Sequence, residues 1–230
     1  KNVFMKLDCK LCKMKSPAAE LLRPNEIDTL EQNCAQVKFT KGETIFREGT
    51  FATNIVYLRS GLVKIHMKGP IGEKILRLNK APAYLGLPTT FGDKVNHYSA
   101  TALVDSEVCF ISLDAFKKFI FSNGDFAYEI IMDLCRSELA DFQRFTNLSQ
   151  KQLPGRIAEL LLCFSNHLFK SNTFELPLNI TELANFVSAS RESVSRQFSE
   201  LIKLGIIEIT SGKKLIILRK EMLEKISTNG

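Results

Sequence analysis

The sequence predicts an α+β protein in three parts: an N-terminal β-roll of the jelly-roll type, one long helix, and a small C-terminal domain of helices followed by a hairpin. Short apolar or alternating segments separated by glycines fill residues 36–112. A helical pattern without Gly or Pro then covers residues 126–148, and two capped helices with a hairpin follow it. The predicted boundaries are 1–123, 124–150 and 151–230, and the first part includes a cysteine-containing N-terminal segment.

The β-roll prediction comes from seven short segments with strand character, among them NIVYLRS, LVKIHM and EVCFIS. Turn-forming glycines such as Gly42, Gly49 and Gly61 separate them. Many short strands at this spacing are typical of a sandwich or jelly roll, in which the inward-facing positions form one core.

Composition narrows the class of protein. With 230 residues, 45% of them hydrophobic and 24% charged, the chain is typical of globular proteins rather than disordered ones. A net charge of +6 permits nucleic-acid binding but does not by itself indicate it. No apolar run reaches the ~18 residues of a membrane helix, and KNVFMKLDCK lacks the layout of a secretory signal. We therefore expect a cytoplasmic protein without membrane contact, whose six cysteines are not paired in disulfides.

The long helix has two apolar faces. Positions that alternate by four and three form a heptad seam with two acidic members: Ala127, Ile131, Leu134, Glu138, Asp141, Phe145 and Leu148. A second apolar set is Cys135, Leu139 and Phe142. The periodicity suits either a helix buried in a monomer or one that packs on its own domain and on a partner at once.

The C-terminal domain begins at a joint marked by Pro154 and Gly155, after which RIAELLLCFSNHLF predicts a helix. Thr181 is predicted to cap a short helix, residues 188–190 to form a polar turn, and Ser190 to cap a second helix that ends at Gly205. The segment IIEITSGKKLIIL predicts a hairpin with residues 211 and 212 (Ser-Gly) at its tip.

The second helix has one polar face. Spacing assigns its buried side to Val194, Phe198, Leu201 and Ile202. The opposite side carries Arg191, Glu192, Ser195, Arg196 and Ser199. On an isolated helix such residues would form an ordinary solvated face, stabilised slightly by a Glu192–Arg196 pair.

The neighbouring elements favour DNA recognition instead. A short capped helix, a three-residue turn and a second helix with a polar face is the layout of helix-turn-helix DNA readers, and the hairpin is placed like a wing. Arginine can donate two hydrogen bonds to guanine, and glutamate can accept one from cytosine. We expect base contacts from Arg191, Glu192, Ser195 and Arg196. We expect contacts to the DNA backbone from Thr181, Ser190, Ser199, Lys213 and Lys214.

Taken together, these segments resemble the catabolite-activator/FNR (CRP/FNR) family of bacterial transcription regulators over nearly the whole chain. The most specific segment is SRESVSR, residues 190–196. The resemblance implies a cyclic-nucleotide-binding-like β-roll, a dimerisation helix and a winged helix-turn-helix, without enzyme activity. It also implies a homodimer that binds a promoter inverted repeat of TGA-containing half-sites and works with RNA polymerase. The dimer contacts it implies are Ile131, Leu134, Glu138, Asp141 and Phe145, and the acidic pair would make dimerisation conditional.

The resemblance does not identify the ligand or signal to which such a regulator would respond. The cyclic-nucleotide branch uses a glycine–glutamate pair and an arginine–serine pair, but Leu87 stands for the glutamate and Tyr98 for the arginine. Cyclic AMP is therefore not expected as the ligand, because the ribose and the phosphate would both lose their main partners. Another small ligand in the roll remains an alternative.

The iron–sulfur branch of the family uses three N-terminal thiolates and a fourth before the dimer helix. Cys9, Cys12 and Cys109 resemble three of these ligands, Ala18 stands near the expected third N-terminal position, and Cys34 is the remaining candidate. An iron–sulfur cluster or another metal is thus one hypothesis, and buried structural thiols are the other. Weaker candidates as haem or metal ligands are His66 and His97.

Two other functions are alternatives to DNA binding. A thiol or metal redox switch would use Cys9 and Cys12, but no βαβ pattern surrounds this CxxC. A regulatory module that does not bind DNA would dock through the long helix.

Overall fold

A computed structural model describes residues 9–70, 72–210 and 214–230 of the chain. The chain forms two compact units, Lys1–Glu138 and Leu139–Gly230. The boundary between them lies inside one long helix, so the last turns of that helix belong to the second unit. None of the helices in the described part of the chain is long and apolar enough to cross a bilayer.

The first unit contains the predicted β-roll, with eight strands and five helices in its described residues. Its elements are α1 (Pro17–Glu20), α2 (Pro24–Gln32), β1 (Cys34–Phe39), β2 (Thr44–Phe46), β3 (Asn54–Ser60), β4 (Leu62–Gly69), β5 (Gly72–Lys80), β6 (Ala83–Leu85), α3 (Leu87–Phe91), β7 (Ser99–Ala102), β8 (Ser106–Ser112), α4 (Leu113–Ser122) and α5 (Gly124–Gln150). The roll has two four-stranded sheets, with strand orders β1-β8-β3-β6 and β2-β7-β4-β5. Helices α1 and α2 and the three-residue strand β6 were not predicted from the sequence.

Side-chain alternation along the strands divides the first unit into two cores. Leu58, Val63 and Val108 point between the two sheets and form the interior of the roll. Tyr57 and Cys109 directly adjoin Leu58 and Val108 in the sequence, so they point to the opposite face of the first sheet. There they pack against the N-terminal segment, α2, α4 and the beginning of α5, so the cysteine-containing segment lies on a helical layer outside the roll.

The second unit has the predicted helices and hairpin, with additions. Its further elements are α6 (Leu153–Cys163), a π-helical turn (Phe164–Leu168), β9 (Thr173–Glu175), α7 (Ile180–Val187), α8 (Arg191–Lys203), β10 (Ile207–Ile209), β11 (Lys214–Ile217) and α9 (Lys220–Asn229). Strand β9 joins the hairpin to make the sheet β10-β11-β9. The predicted tip of the hairpin lies outside the described residues.

Two local predictions for this unit have definite outcomes. Helix α8 is followed by Gly205 as predicted, with a φ of 65° that glycine adopts without steric cost. The break between α5 and α6 lies at residues 151 and 152, three residues before the predicted joint at Pro154 and Gly155. Pro154 lies in the first turn of α6, where its missing N–H costs no hydrogen bond.

Candidate nucleic-acid interface and thiol site

The first helix of the helix-turn-helix begins with a reciprocal cap. The side chain of Asn179 accepts a hydrogen bond from the Glu182 N–H at 3.0 Å, and the Glu182 carboxylate accepts one from the Asn179 N–H at 3.0 Å. The prediction that Thr181 caps this helix was therefore wrong, because Asn179 already satisfies the free N–H groups two residues earlier. Thr181 lies exposed on the first turn of α7.

The turn into the second helix is defined at both ends. Ser188 ends α7 in the left-handed region, with φ 56° and ψ 56°. Ser190 caps α8 as predicted, since its Oγ accepts a hydrogen bond from the Ser193 N–H at 3.1 Å. The start and direction of α8 thus follow from a short turn with little conformational freedom.

The buried side of α8 is narrower than predicted. Val194, Phe198 and Leu201 are at most 4% exposed, but Ile202 is 44% exposed. The assignment of Ile202 to the buried side was wrong, because a rotation of about 100° per residue carries it from Leu201 to the edge of the stripe.

The polar face of α8 is accessible. Arg191, Glu192, Ser195 and Arg196 are all exposed. Within the described residues no ion pair involves Arg191, Glu192 or Arg196, and the helix-stabilising pair between the last two is not formed. The long polar side chains are therefore available to an external partner.

The residues predicted to contact the DNA backbone are exposed wherever the structure describes them. Ser199 is exposed and donates a hydrogen bond from its Oγ to the Ser195 carbonyl at 3.1 Å. Ser190 and Lys214 are exposed as well. Lys213 lies outside the described residues.

Helix α5 carries an exposed apolar stripe made of Ile131, Cys135, Leu139, Phe142 and Phe145. Their exposed fractions include 55% for Ile131 and 73% for Phe145. The two faces predicted from sequence therefore overlap in one stripe, with Glu138 exposed on it and Asp141 exposed at its edge. Leu134 differs from the other predicted contacts, since it packs partly buried against the core of the first unit.

Four cysteines converge on the helical layer of the first unit. In the antiparallel pair of β1 and β8, Gln36 is opposite Cys109, so Cys34, two residues before Gln36, lies on the same face as Cys109. The Cys34 thiol contacts the thiols of both Cys109 and Cys9. Cys12 contacts the guanidinium of Arg59. One cavity is lined by all four cysteines together with Tyr57, Tyr84 and Phe116.

The contact between the Cys34 and Cys109 thiols couples their ionisation. Contact with the Cys109 and Cys9 sulfurs, together with burial, raises the pKa of Cys34. The same contact with Cys34 lowers the pKa of Cys109, which burial alone would raise. Loss of a proton from one of these thiols therefore makes loss of a proton from the other harder.

The N-terminal segment that carries Cys9 and Cys12 is anchored to this layer. The Cys9 N–H donates to the Glu31 carboxylate at 3.0 Å, and the Tyr57 hydroxyl donates to the Met14 carbonyl at 2.6 Å. In the described chain no group of three or more His, Cys, Asp or Glu side chains has the arrangement that would hold a single metal ion. The four thiols instead surround a cavity.

At the two positions where the cyclic-nucleotide branch has its glutamate and arginine, the side chains of this protein pack against apolar neighbours. Leu87 is 3% exposed in the helical-layer core, and Tyr98 packs on Phe46 with 6.1 Å between ring centroids. The segment between them is held to the loop between β2 and β3 by hydrogen bonds, including one from Asn96 Nδ2 to the Thr50 hydroxyl at 3.1 Å.

The two histidines considered as ligands have protein partners. His66 Nδ1 lies 2.9 Å from the Glu73 carboxylate, and His66 Nε2 lies 2.8 Å from the Thr101 hydroxyl. His97 Nε2 lies 2.7 Å from the Asp93 carboxylate on the exposed surface.

Comparison with known proteins identifies two domain families. Residues 36–123 match the cyclic nucleotide-binding domain, and residues 155–226 match the Crp-like helix-turn-helix domain. An anaerobic regulatory protein of Bacillus subtilis is 27% identical over 212 residues, 89% of each chain. A CRP-like cAMP-activated global transcriptional regulator of Mycobacterium tuberculosis is 25% identical, over 89% of this chain and 93% of its own.

A solved structure has the same fold. FixK2 from Bradyrhizobium japonicum superposes with a TM-score of 0.76 at 18% identity, covering 86% of this chain and 98% of its own. The comparisons support the predicted DNA-binding architecture and do not favour a CxxC redox switch or a module without a DNA function.

Proposed function

Because the chain belongs to the CRP/FNR family of DNA-binding transcription regulators, we propose that it acts as a homodimer that reads an inverted repeat of TGA-containing half-sites. Its relatives are transcription regulators rather than enzymes. The observation that carries the proposal is the accessible polar face of α8, presented by a helix whose other side is buried.

Base reading is assigned to Arg191, Glu192, Ser195 and Arg196. All four lie in the first two turns of α8, and recognition helices contact base edges through their N-terminal residues. Arginine and glutamate suit guanine and cytosine in the major groove, which provides a distinct pattern for each base pair. The TGA core of the half-site comes from the family resemblance of SRESVSR.

Binding to the DNA backbone is assigned to side chains around this face. Thr181, Ser190 and Ser199 offer hydroxyl groups, and the sequence pair Lys213 and Lys214 offers positive charge, with Lys214 at the start of β11. Such contacts fix the position of a protein on the duplex but carry no sequence information.

The exposed stripe of α5 supports dimerisation. Apolar side chains such as Phe142, 59% exposed, and Leu139, 67% exposed, gain stability when a second copy covers them. A two-fold dimer would place its two recognition helices one helical turn of DNA apart, about 10 base pairs. Glu138 on the stripe would face like charge from the partner and weaken the dimer. RNA polymerase is proposed as a further partner from the family resemblance alone.

We propose that the regulatory signal acts on a site formed by four cysteines: Cys9, Cys12, Cys34 and Cys109. Four thiols line one cavity, and this number matches the four thiolates that hold a [4Fe–4S] cluster, one for each iron. The adjacent guanidinium of Arg59 would offset the negative charge of bound thiolates. When bound, such a cluster supplies redox chemistry. Cyclic AMP is disfavoured, because Leu87 and Tyr98 are packed in apolar cores.

Selection from a pool of randomised DNA duplexes tests the DNA-binding proposal. The purified protein should enrich a two-fold symmetric sequence with TGA-containing halves, and its affinity should fall steeply as salt rises. Failure to enrich any sequence would contradict base reading by α8.

Metal analysis tests the proposed signal site. Protein purified without oxygen should contain iron and sulfide and absorb near 400 nm, and a colourless protein without bound metal would contradict the cluster.

A further inference from the structure

The end of α7 is held by two arginines from outside the helix-turn-helix. The last carbonyls of a helix lack partners within the helix. Here the Phe186 carbonyl accepts a hydrogen bond from Arg144 Nη2 at 2.9 Å. The Val187 carbonyl accepts one from Arg156 Nη1 at 2.7 Å, and the Ser188 carbonyl lies 3.3 Å from the same nitrogen. Three successive carbonyls at the start of the turn are therefore held from α5 and α6.

Arg144 makes a second contact with the same residue. Its guanidinium carbon lies 4.0 Å from the centre of the Phe186 ring, which is the geometry of a cation–π interaction. Arg144 thus holds both the backbone and the side chain of Phe186. Positive charge at the C-terminal end of α7 is also favourable for the helix dipole.

These contacts lie directly before the base-reading helix. Ser188 adopts the left-handed conformation, and Ser190, two residues later, caps α8. Because the turn is so short, the position of the end of α7 determines where α8 begins. Binding sites tolerate displacements of only about 0.5 Å before their contacts weaken, so this anchor bears on recognition.

We propose that Arg144 and Arg156 are positioning residues for base reading: they fix the end of α7 and thereby the orientation of α8, without contacting bases themselves. The inference rests on the proposed function, since it requires that α8 reads DNA.

The test compares two DNA ligands for each variant. The first is the duplex that the wild-type protein enriches from a randomised pool, and the second is a scrambled duplex of the same length and composition. For Arg144→Ala we expect the dissociation constant for the enriched duplex to rise about tenfold or more, the equivalent of one lost base contact, with less than about threefold change for the scrambled duplex. The same direction is expected for Arg156→Ala.

Arg136→Ala is the matched control. Arg136 lies on α5 too, but it is exposed and pairs with Glu129 at 3.2 Å. Its replacement removes the same charge and should leave the ratio of the two affinities unchanged. If Arg144→Ala proves unstable, Arg144→Lys and Phe186→Leu provide milder changes, and the lysine should retain more selectivity than the alanine because it keeps the cation.

The outcomes separate the inference from the function on which it rests. A wild-type protein that enriches no duplex overturns both. An enriched duplex with an unchanged affinity ratio in Arg144→Ala and Arg156→Ala overturns the positioning role alone. Equal losses for both duplexes, in proportion to the unfolded fraction seen by thermal melting, would indicate a structural role only and would also overturn it.

Discussion

The thiol of Cys34, the first residue of β1, contacts the thiol of Cys109 on the neighbouring strand β8. Strand pairing, rather than spacing along the chain, brings Cys34 to the same cavity as the CxxC cysteines. In the proposed cluster site Cys34 would take the place of the third N-terminal cysteine, since alanine stands at residue 18.

Replacing Cys34 with serine should remove most of the bound metal. A hydroxyl is a poor ligand for iron in a thiolate site, and three thiolates leave one iron without its ligand. The measurement is iron and sulfide per protein after purification without oxygen. Cys163→Ser is the control, because Cys163 is exposed in the second unit and should keep the metal content unchanged. Equal metal in both variants would exclude Cys34 as a ligand.

Glu26 should make the stability of the first unit depend on pH. Burial would raise the pKa of Glu26, but hydrogen bonds from the Arg23 N–H, from Asn123 and from Ser122 outweigh it and lower the pKa. The folded state therefore favours the carboxylate. Its stabilising effect is fully present above the pKa of the unfolded chain, about 4.3, and is lost as the pH falls through the lower folded value.

Urea unfolding of wild type and Glu26→Gln between pH 3 and pH 7 measures this effect. The amide carries no charge, and its NH2 group cannot accept the hydrogen bond that Ser122 donates to the second carboxylate oxygen, so the variant should lose about 1 to 3 kcal/mol of unfolding free energy at pH 7. The difference between the two proteins should shrink toward pH 3. A difference that stays constant with pH would show that the charge of Glu26 is not involved.

Phe142→Glu should convert the dimer to monomer. A charge in the middle of the exposed stripe would be desolvated on dimerisation, which costs several kcal/mol. Sedimentation velocity measures the change in association state. Ala140→Glu introduces the same charge at an exposed residue on the opposite side of the helix and should remain dimeric. If both variants sediment like the wild type, α5 is not the dimer contact.

Lys214→Ala should weaken binding to every DNA sequence alike. A lysine at a phosphate releases one counterion, so its loss should reduce the slope of log K against log salt by about 0.9 and leave base preference unchanged. Affinities for the selected and the scrambled duplex, measured across a salt series, check this prediction. A change confined to the selected duplex would place Lys214 at a base instead.

The fold was predictable because most of its elements have local signals. Glycine-separated strands, an uninterrupted helical pattern and the serine cap at residue 190 led to the roll, α5 and α8. Helix α2 was missed although its start has local signals, with Pro24 at the first helical position and Glu26 accepting a hydrogen bond from the Arg23 N–H. Strand β9 is only three residues long and pairs with β11, from which it is separated by two helices.

The candidate site was predictable to a similar extent. The polar face of α8 follows from helical periodicity, but the exposure of Ile202 depends on how wide a stripe the neighbouring helices cover. The cap at Asn179 could have been read from the spacing of Asn179 and Glu182, which is that of a capping box. The anchor of α7 by Arg144 and Arg156 has no local signal, because it depends on the packing of three helices.

Base reading by α8 is tested most directly by affinities for every single-base variant of the selected palindrome, measured for the wild-type protein and for Arg196→Ala. For the wild-type protein, a change at each base pair that it reads should weaken the binding free energy by about 1 to 3 kcal/mol, equally in the two half-sites. Arg196→Ala should become indifferent to one base pair in each half-site and keep its preferences elsewhere. A uniform loss of affinity at all positions would contradict base reading by α8.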